Sequence, residues 1–194
     1  NAVLVASPAA GKTTSVPLAL LEAALMDRGR ILMLEPRRLA ARAAAARMAS
    51  LIGEKVGRTV GFRTRLESAV CADTRIEVVT TGLLVRRLLG DPGLEGVSTV
   101  ILDEIHERSL EADLALALCL DAQAMLRPDL RLLAMSATLD GARLCATMKA
   151  SLVESAGRMH PVEIRHAARD LAHPRDLPEA MAREQVSHVG LDPL

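Results

Sequence analysis

The chain has 194 residues, half of them hydrophobic and a quarter charged, with a formal net charge of zero. That suits one soluble domain with a substantial core plus an incomplete appendage. The charge balance excludes a uniformly basic surface, so any nucleic-acid site has to be a local patch. One Phe, no Trp and no Tyr leave the core to Leu, Val, Ile, Met and Ala. Cys71, Cys119 and Cys145 lie far apart, without metal-ligand spacing, and read as reduced core thiols. No apolar run reaches the length of a membrane span. No signal peptide opens this chain, and Asn1 leads straight into a strand, as if the chain were clipped at its start. A cytoplasmic protein with no membrane partner is the expectation.

In chain order, Ala2-Val3-Leu4-Val5 is a continuous apolar run, as in a strand buried on both faces. Apolar residues at helical spacing follow from about Thr13 to Met26. Ile31-Leu32-Met33-Leu34 is a second buried strand; Pro36 ends it, and an Ala-rich helix runs to about Ile52. Arg75 to Thr80 reads as a strand, Gly82 to Leu89 as a short helix, and Val97 to Leu102 as a strand ending in acidic residues. A helix from about Ser109 to Leu126 and a strand from Leu130 to Met135 complete the pattern. Strands alternating with helices predict an α/β fold, a parallel sheet covered on both faces. Beyond about Ala150 the pattern weakens. The segment from Gly157 holds four of the five histidines, and only Pro161-Val162-Glu163-Ile164-Arg165 reads as an alternating strand.

Two places carry chemistry. Ala6-Ser7-Pro8-Ala9-Ala10-Gly11-Lys12-Thr13 lies between a strand and a helix, and it follows the phosphate-loop pattern except that Ala6 replaces the first Gly. In such a loop the backbone N–H groups and the helix N-terminus point at phosphates. Lys12 reaches the terminal phosphates and the Thr13 hydroxyl meets Mg²⁺. The bland reading is an ordinary strand-turn-helix with an exposed lysine. Asp103 and Glu104 end the strand Val97 to Leu102 at the carboxyl edge, where open α/β sheets bind ligands. There Asp103 can hold Mg²⁺ and Glu104 can orient and deprotonate an attacking water. The bland readings are a solvated strand end and, for His106, a hydrogen-bonded structural histidine.

The segments Gly11-Lys12-Thr13-Thr14, Glu35-Pro36-Arg37-Arg38-Leu39-Ala40-Ala41, Thr80-Thr81-Gly82, Asp103-Glu104-Ile105-His106-Glu107-Arg108 and Ser136-Ala137-Thr138 stand in the order seen in DEAH-box helicases of superfamily 2. The chain resembles that family strongly from about Ala2 to Asp140 and weakly from about Val153 to Arg165. The stretches from Arg108 to Leu118 and from Met135 to Asp140 resemble its bacterial HrpB-type branch. The resemblance implies a P-loop NTPase, a RecA-like three-layer sandwich with a mainly parallel central sheet. Residues 1–150 would be the first RecA-like domain, and 151–194 a partly irregular connector and the start of an absent second one.

The resemblance also implies site roles. ATP or another nucleoside triphosphate, with Mg²⁺, would lie on Ala9, Ala10, Gly11, Lys12, Thr13 and Thr14, with Arg47 stacked on the base. His106 would join Glu104, Asp103 and Lys12 in the hydrolytic site. Ser136 and Thr138 would link hydrolysis to strand movement by contacting His106. Arg37, Arg38, Thr80, Thr81 and Gly82 would hold the backbone of single-stranded RNA or DNA. Helix geometry offers a check: Arg38 and Arg42 share a face, and Arg47 points about 140–180° away at about 100° per residue, which separates a strand site from a nucleotide site. Arg42 also reads as part of a solvated basic helix. Arg63 and Arg65, flanking a turn after Gly61-Phe62, are further candidates for the strand.

The sequence departs from the family in four ways. The arginine fingers of the second motor domain, worth about 10³–10⁵ in rate, have no counterpart here, so the chain alone should hydrolyse poorly and need that domain in cis. Ala9 stands where relatives carry Gly, at a cost of about 1–2 kcal/mol if the backbone there is left-handed. Thr81 replaces a common acidic residue, and Ile105 the more usual Ala or Phe. A P-loop kinase or GTPase is a second enzyme reading, though the guanine-reading Asn-Lys-x-Asp is missing. A nucleotide-binding interaction module that has lost turnover is a third, favoured by Ala9.

Overall fold

The computed structural model describes residues 1–7, 10–23, 29–137, 141–155, 174–177, 179 and 181. Its secondary structure runs β1 (Ala2–Ala6), α1 (Lys12–Glu22), β2 (Arg30–Leu34), α2 (Arg38–Leu51), β3 (Val60–Arg63), β4 (Ser68–Ala69), β5 (Ile76–Val79), α3 (Thr81–Gly90) and β6 (Val97–Leu102). A 3-10 turn at Ile105–Glu107 leads into α4 (Leu110–Met125), β7 (Arg131–Ser136), α5 (Gly141–Met148) and β8 (Ser151–Ser155). Residues Asn1–Met159 form one compact unit, and His160–Leu194 another, of which the described part includes a 3-10 turn at Pro174–Asp176.

The strands form one sheet in the order β4-β3-β5-β2-β6-β7-β1-β8, parallel throughout except for the antiparallel β3–β4 pair. The expected parallel sheet with helices on both faces is therefore present. Side-chain alternation shows how four consecutive apolar residues fit: Ile31 and Met33 pack with α1 and α2 on one face, Leu32 and Leu34 with α3, α4 and α5 on the other. Each such buried side chain contributes about 1.5–3 kcal/mol. In α2 the buried residues Ala41, Ala44, Ala45, Met48 and Ala49 recur at helical spacing, and their small size lets the helix lie close on the sheet. Ser109 caps α4, its Oγ accepting from the Ala112 amide at 3.1 Å, with Glu111 and Asp113 in the first turn beside the positive end of the helix dipole.

Three expectations change. The first helix ends at Glu22 instead of reaching Met26. The turn expected between Arg63 and Arg65 is present, the Thr64 amide donating to Glu67 O at 2.8 Å, but it joins two strands that were not expected: β3, which runs beside β5, and β4 on its outer side. The sheet also gains β8, paired with β1 from Ala2↔Ser151 to Ala6↔Ser155. The strand expected at Pro161–Arg165 lies outside the described residues.

Candidate nucleotide and strand sites

In this order β6, β7 and β1 are neighbours, so the segments following their carboxyl ends meet at one rim. After β1, Gly11 adopts φ 78° and opens α1 without a side-chain cap. A Cβ there would be strained by that φ and would sit 3.2 Å from Ser15 Oγ. Uncapped first-turn amides at a helix N-terminus are a ready anion site. Lys12, buried, sends Nζ to within 3.4 Å of Glu104 Oε1. Thr13 Oγ1 donates to Asp103 Oδ2 at 2.7 Å. These contacts join residues about 90 positions apart in the chain.

After β6 the acidic turn is held tightly. The Asp103 amide donates to Leu34 O of β2 at 3.1 Å. Asp103 Oδ1 accepts from the Glu104 amide at 2.9 Å. Glu104 itself takes the left-handed conformation, φ 51°, which is uncommon for a non-glycine residue and is found at functional sites. Burial pushes the Asp103 carboxyl up from its ordinary range, against the hydrogen bonds from Thr13 and the Glu104 amide.

His106 links this turn to β7. Its Nδ1 accepts from the Ala137 amide at 3.3 Å, so the ring proton belongs on Nε2, which faces Glu104 Oε2 at 3.2 Å. One contact from the end of β7 to His106 is made by the backbone after Ser136. Ser136 is buried at the end of the strand and lines a cavity with His106. Ala9 and Thr138 lie outside the described residues.

Two grooves flank the rim. One is lined by Thr13, Thr14, Glu35, Arg37, Arg47 and Glu104. The other is lined by Arg38, Arg65, Thr80, Thr81, Gly82 and Arg86. The structure therefore puts Arg47 with the phosphate-loop residues and Arg38 with the Thr80–Gly82 segment. Arg37, expected beside Arg38, lies in the first groove and pairs with Glu107. It is the N-cap of α2, with extended φ −105° and ψ 127°, so the helical angle that places Arg38 does not apply to it. Arg42 pairs with Glu67 and Arg63 with Glu77.

Sequence reasoning gave Glu35 no role. It is 4% exposed in the first groove and accepts from the Arg37 amide at 3.4 Å. Burial, helped by the charges of Asp103, Glu104 and Glu107 and opposed by that amide, raises its carboxyl from 4.5 to about 7. The signal for it was an acid following four apolar residues of a buried strand.

A family model described as DEAD/DEAH box helicase matches residues 1–145. The chain is 55% identical over 166 residues to the ATP-dependent RNA helicase HrpB of Escherichia coli (strain K12), covering 84% of this chain and 20% of that protein. It is 43% identical over 146 residues to the DExH-box ATP-dependent RNA helicase DExH1 of Arabidopsis thaliana, covering 72% of this chain and 15% of that one. A crystal structure of the Escherichia coli DEAH/RHA helicase HrpB superposes with a TM-score of 0.82 at 50% identity, over 95% of this chain and 24% of that chain. A second HrpB structure, of the Escherichia coli DExH-box NTPase, gives 0.78 at 49% identity over 99% and 24%. The chain thus spans about a fifth of the length of the curated relatives it matches.

Proposed function

Because the chain belongs to the DEAD/DEAH box helicase family, we propose that it is the nucleotide-binding half of a motor that hydrolyses ATP or another nucleoside triphosphate and moves along single-stranded RNA or DNA. One observation carries this reading: Lys12, Thr13, Asp103, Glu104 and His106 form a continuous set of contacts at the rim where β1, β6 and β7 end.

The donors suit the triphosphate and Mg²⁺. Hard oxygens from Thr13 and Asp103 already lie 2.7 Å apart. Mg²⁺ takes few protein oxygens and completes its shell with phosphate and water, and Thr13 and Asp103 offer such a pair. Lys12 and the first-turn amides of α1 would hold the phosphates, and Arg47 the base from the far end of the groove. The nucleotide supplies the anhydride to be cleaved, and Mg²⁺ neutralises charge on it.

The remaining work belongs to side chains. Glu104 orients a water and takes its proton. His106, hydrogen-bonded to the chain after Ser136, keeps the Glu104 carboxylate in register with the end of β7. Thr138, the next residue but one, would carry that register toward the strand. Arg38, Thr80, Thr81 and Gly82 receive the strand's phosphates in the second groove, a short distance along the same rim.

Since β8 belongs to the first sheet, the connector to a second RecA-like domain, which would supply the arginine fingers in cis, would start after Met159. Three free, well-separated cysteines favour a cytoplasmic setting, and among the described residues no helix is long and apolar enough to cross a membrane.

The test is Glu104→Gln in the chain joined to its second domain. Turnover should fall at least about 100-fold while nucleotide titration still shows binding. Turnover that survives the substitution refutes the assignment of Glu104. Nucleotide binding that survives Lys12→Ala unchanged refutes the site.

A further inference from the structure

Resting on the reading of the Arg38 groove as the strand site, we propose that the bound single strand continues beyond that groove across the sheet, its phosphates received by a second basic surface that Arg30, Arg63, Arg86 and Arg87 form around Glu77.

The surface begins from an anomaly in the sheet. Glu77 is in β5, on the face that also carries Val79, and its side chain is only 2% exposed. A carboxylate so placed must be paired. Here guanidiniums cover it: Arg63 Nε at 3.0 Å, Arg87 Nη1 at 3.3 Å and Arg30 Nη1 at 3.9 Å. These arginines come from three separate elements, and their aliphatic stems can shield the strand while the heads stay wet. Arg30, Arg63 and Arg87 keep 35%, 46% and 30% of their side-chain surface exposed.

One carboxylate cannot neutralise three guanidiniums. The surplus positive charge is anchored, because Glu77 holds each head in place, and an anchored guanidinium is well suited to phosphate. Arg86 adds a fourth charge. It is exposed, and among the described residues it has no ion-pair partner within 4.0 Å.

Continuity selects the occupant. Leu83 and Arg86 line both this surface and the groove of Arg38, Arg65 and Thr80–Gly82. Arg30 opens β2, whereas Arg38 follows just past its end, so the two lie about 15 Å or more apart at about 3.3 Å per residue. That distance accommodates a few successive phosphates. The chain as a whole is neutral, so a run of six arginines, 30, 38, 63, 65, 86 and 87, against Glu77 and Glu111 is a local concentration. An extended polyanion matches it better than a compact one.

The test is fluorescence anisotropy of labelled oligouridylate and oligodeoxythymidylate of increasing length, over a salt series, on the full 194-residue chain. Wild type is compared with Arg38→Gln, Arg86→Gln, Arg30→Gln and Arg86→Lys, and thermal melts verify that each folds. Arg86→Gln and Arg30→Gln should weaken long oligonucleotides several-fold and reduce the salt slope by about 0.7 per lost phosphate contact. Arg86→Lys should keep the slope, and the shortest oligonucleotides should not sense Arg30→Gln. If Arg38→Gln weakens binding while the Arg30 and Arg86 variants match wild type at every length, the extended surface is refuted and the groove stands. If no oligonucleotide binds, or none of the variants changes binding, both fail. If polyglutamate, and no oligonucleotide, binds in an Arg86-dependent manner, the surface serves an acidic protein and the proposal is overturned.

Discussion

Replacing Glu35 with Gln removes a carboxyl that the fold holds neutral far above its ordinary range. In the unfolded chain Glu35 ionises near 4.5; in the folded chain it does so at about 7, because burial and three neighbouring carboxylates oppose the charge. Between those pH values the folded protein keeps a proton that the unfolded chain has lost. The stabilisation this gives is complete below 4.5 and is lost as pH rises to about 7, at about 1.4 kcal/mol per pH unit. The whole interval is worth about 3 kcal/mol on that slope, with little discount for solvent because Glu35 is 4% exposed. Gln keeps the size and can still accept from the Arg37 amide, but it does not titrate. The variant should therefore gain on wild type as pH rises from 5 to 8, by up to about 3 kcal/mol. Urea unfolding at intervals across that range, without nucleotide or Mg²⁺, measures it. Asp103, also raised, is present in both proteins, and its repulsion of Glu35 is part of the difference measured. A difference that stays flat with pH, or that moves in wild type's favour, refutes the reasoning.

Gly11→Ala should cost about 1–2 kcal/mol and lower the melting temperature by about 2–8 °C, since φ is 78° and the new Cβ lies 3.2 Å from Ser15 Oγ; an unchanged melt would show that the loop does not need this conformation. His106→Ala in the two-domain protein should lower hydrolysis and lose its stimulation by an oligonucleotide, read by comparing turnover with and without the strand; stimulation equal to wild type would refute the link from Glu104 to the end of β7. Cys71, exposed, should react quickly with a thiol reagent, whereas Cys119, buried and raised to about 12, should react only after unfolding; equal rates in the native protein would contradict the packing of α4.

Strands β1, β2, β6 and β7 were legible because a strand buried on both faces is largely apolar, which leaves a run such as Ile31 to Leu34 or Val100 to Leu102. The rim carrying Lys12 and Asp103 followed from the same runs, since the loop after β1 leads to Lys12 and β6 leads directly into Asp103. The elements at the margins left no such mark. β8 is exposed along its whole length and mixes Ser and Glu with Leu and Val. β3 contains Gly61, whose missing side chain is demanded by Ala69 O, 2.3 Å from where a Cβ would stand, a constraint set by a partner eight residues on. Arg37 stands with Arg38 in the family resemblance, yet one is still extended and the other helical. Glu77 could not be told from any charged residue of an edge strand until three arginines from distant segments were seen to close over it.

β1 is flanked by β7 and β8, both made from residues beyond 130. A ribosome therefore finishes the phosphate-loop strand long before it makes either of the strands that will pair with it. Until Arg131 and the residues after it are made, Ala2–Ala6 is an apolar segment without the two strands that pair with it, which invites misassociation. A fragment cut short before Arg131 would contain every residue of the Lys12–Asp103–Glu104 set and still lack the neighbour that seats β1 in the sheet.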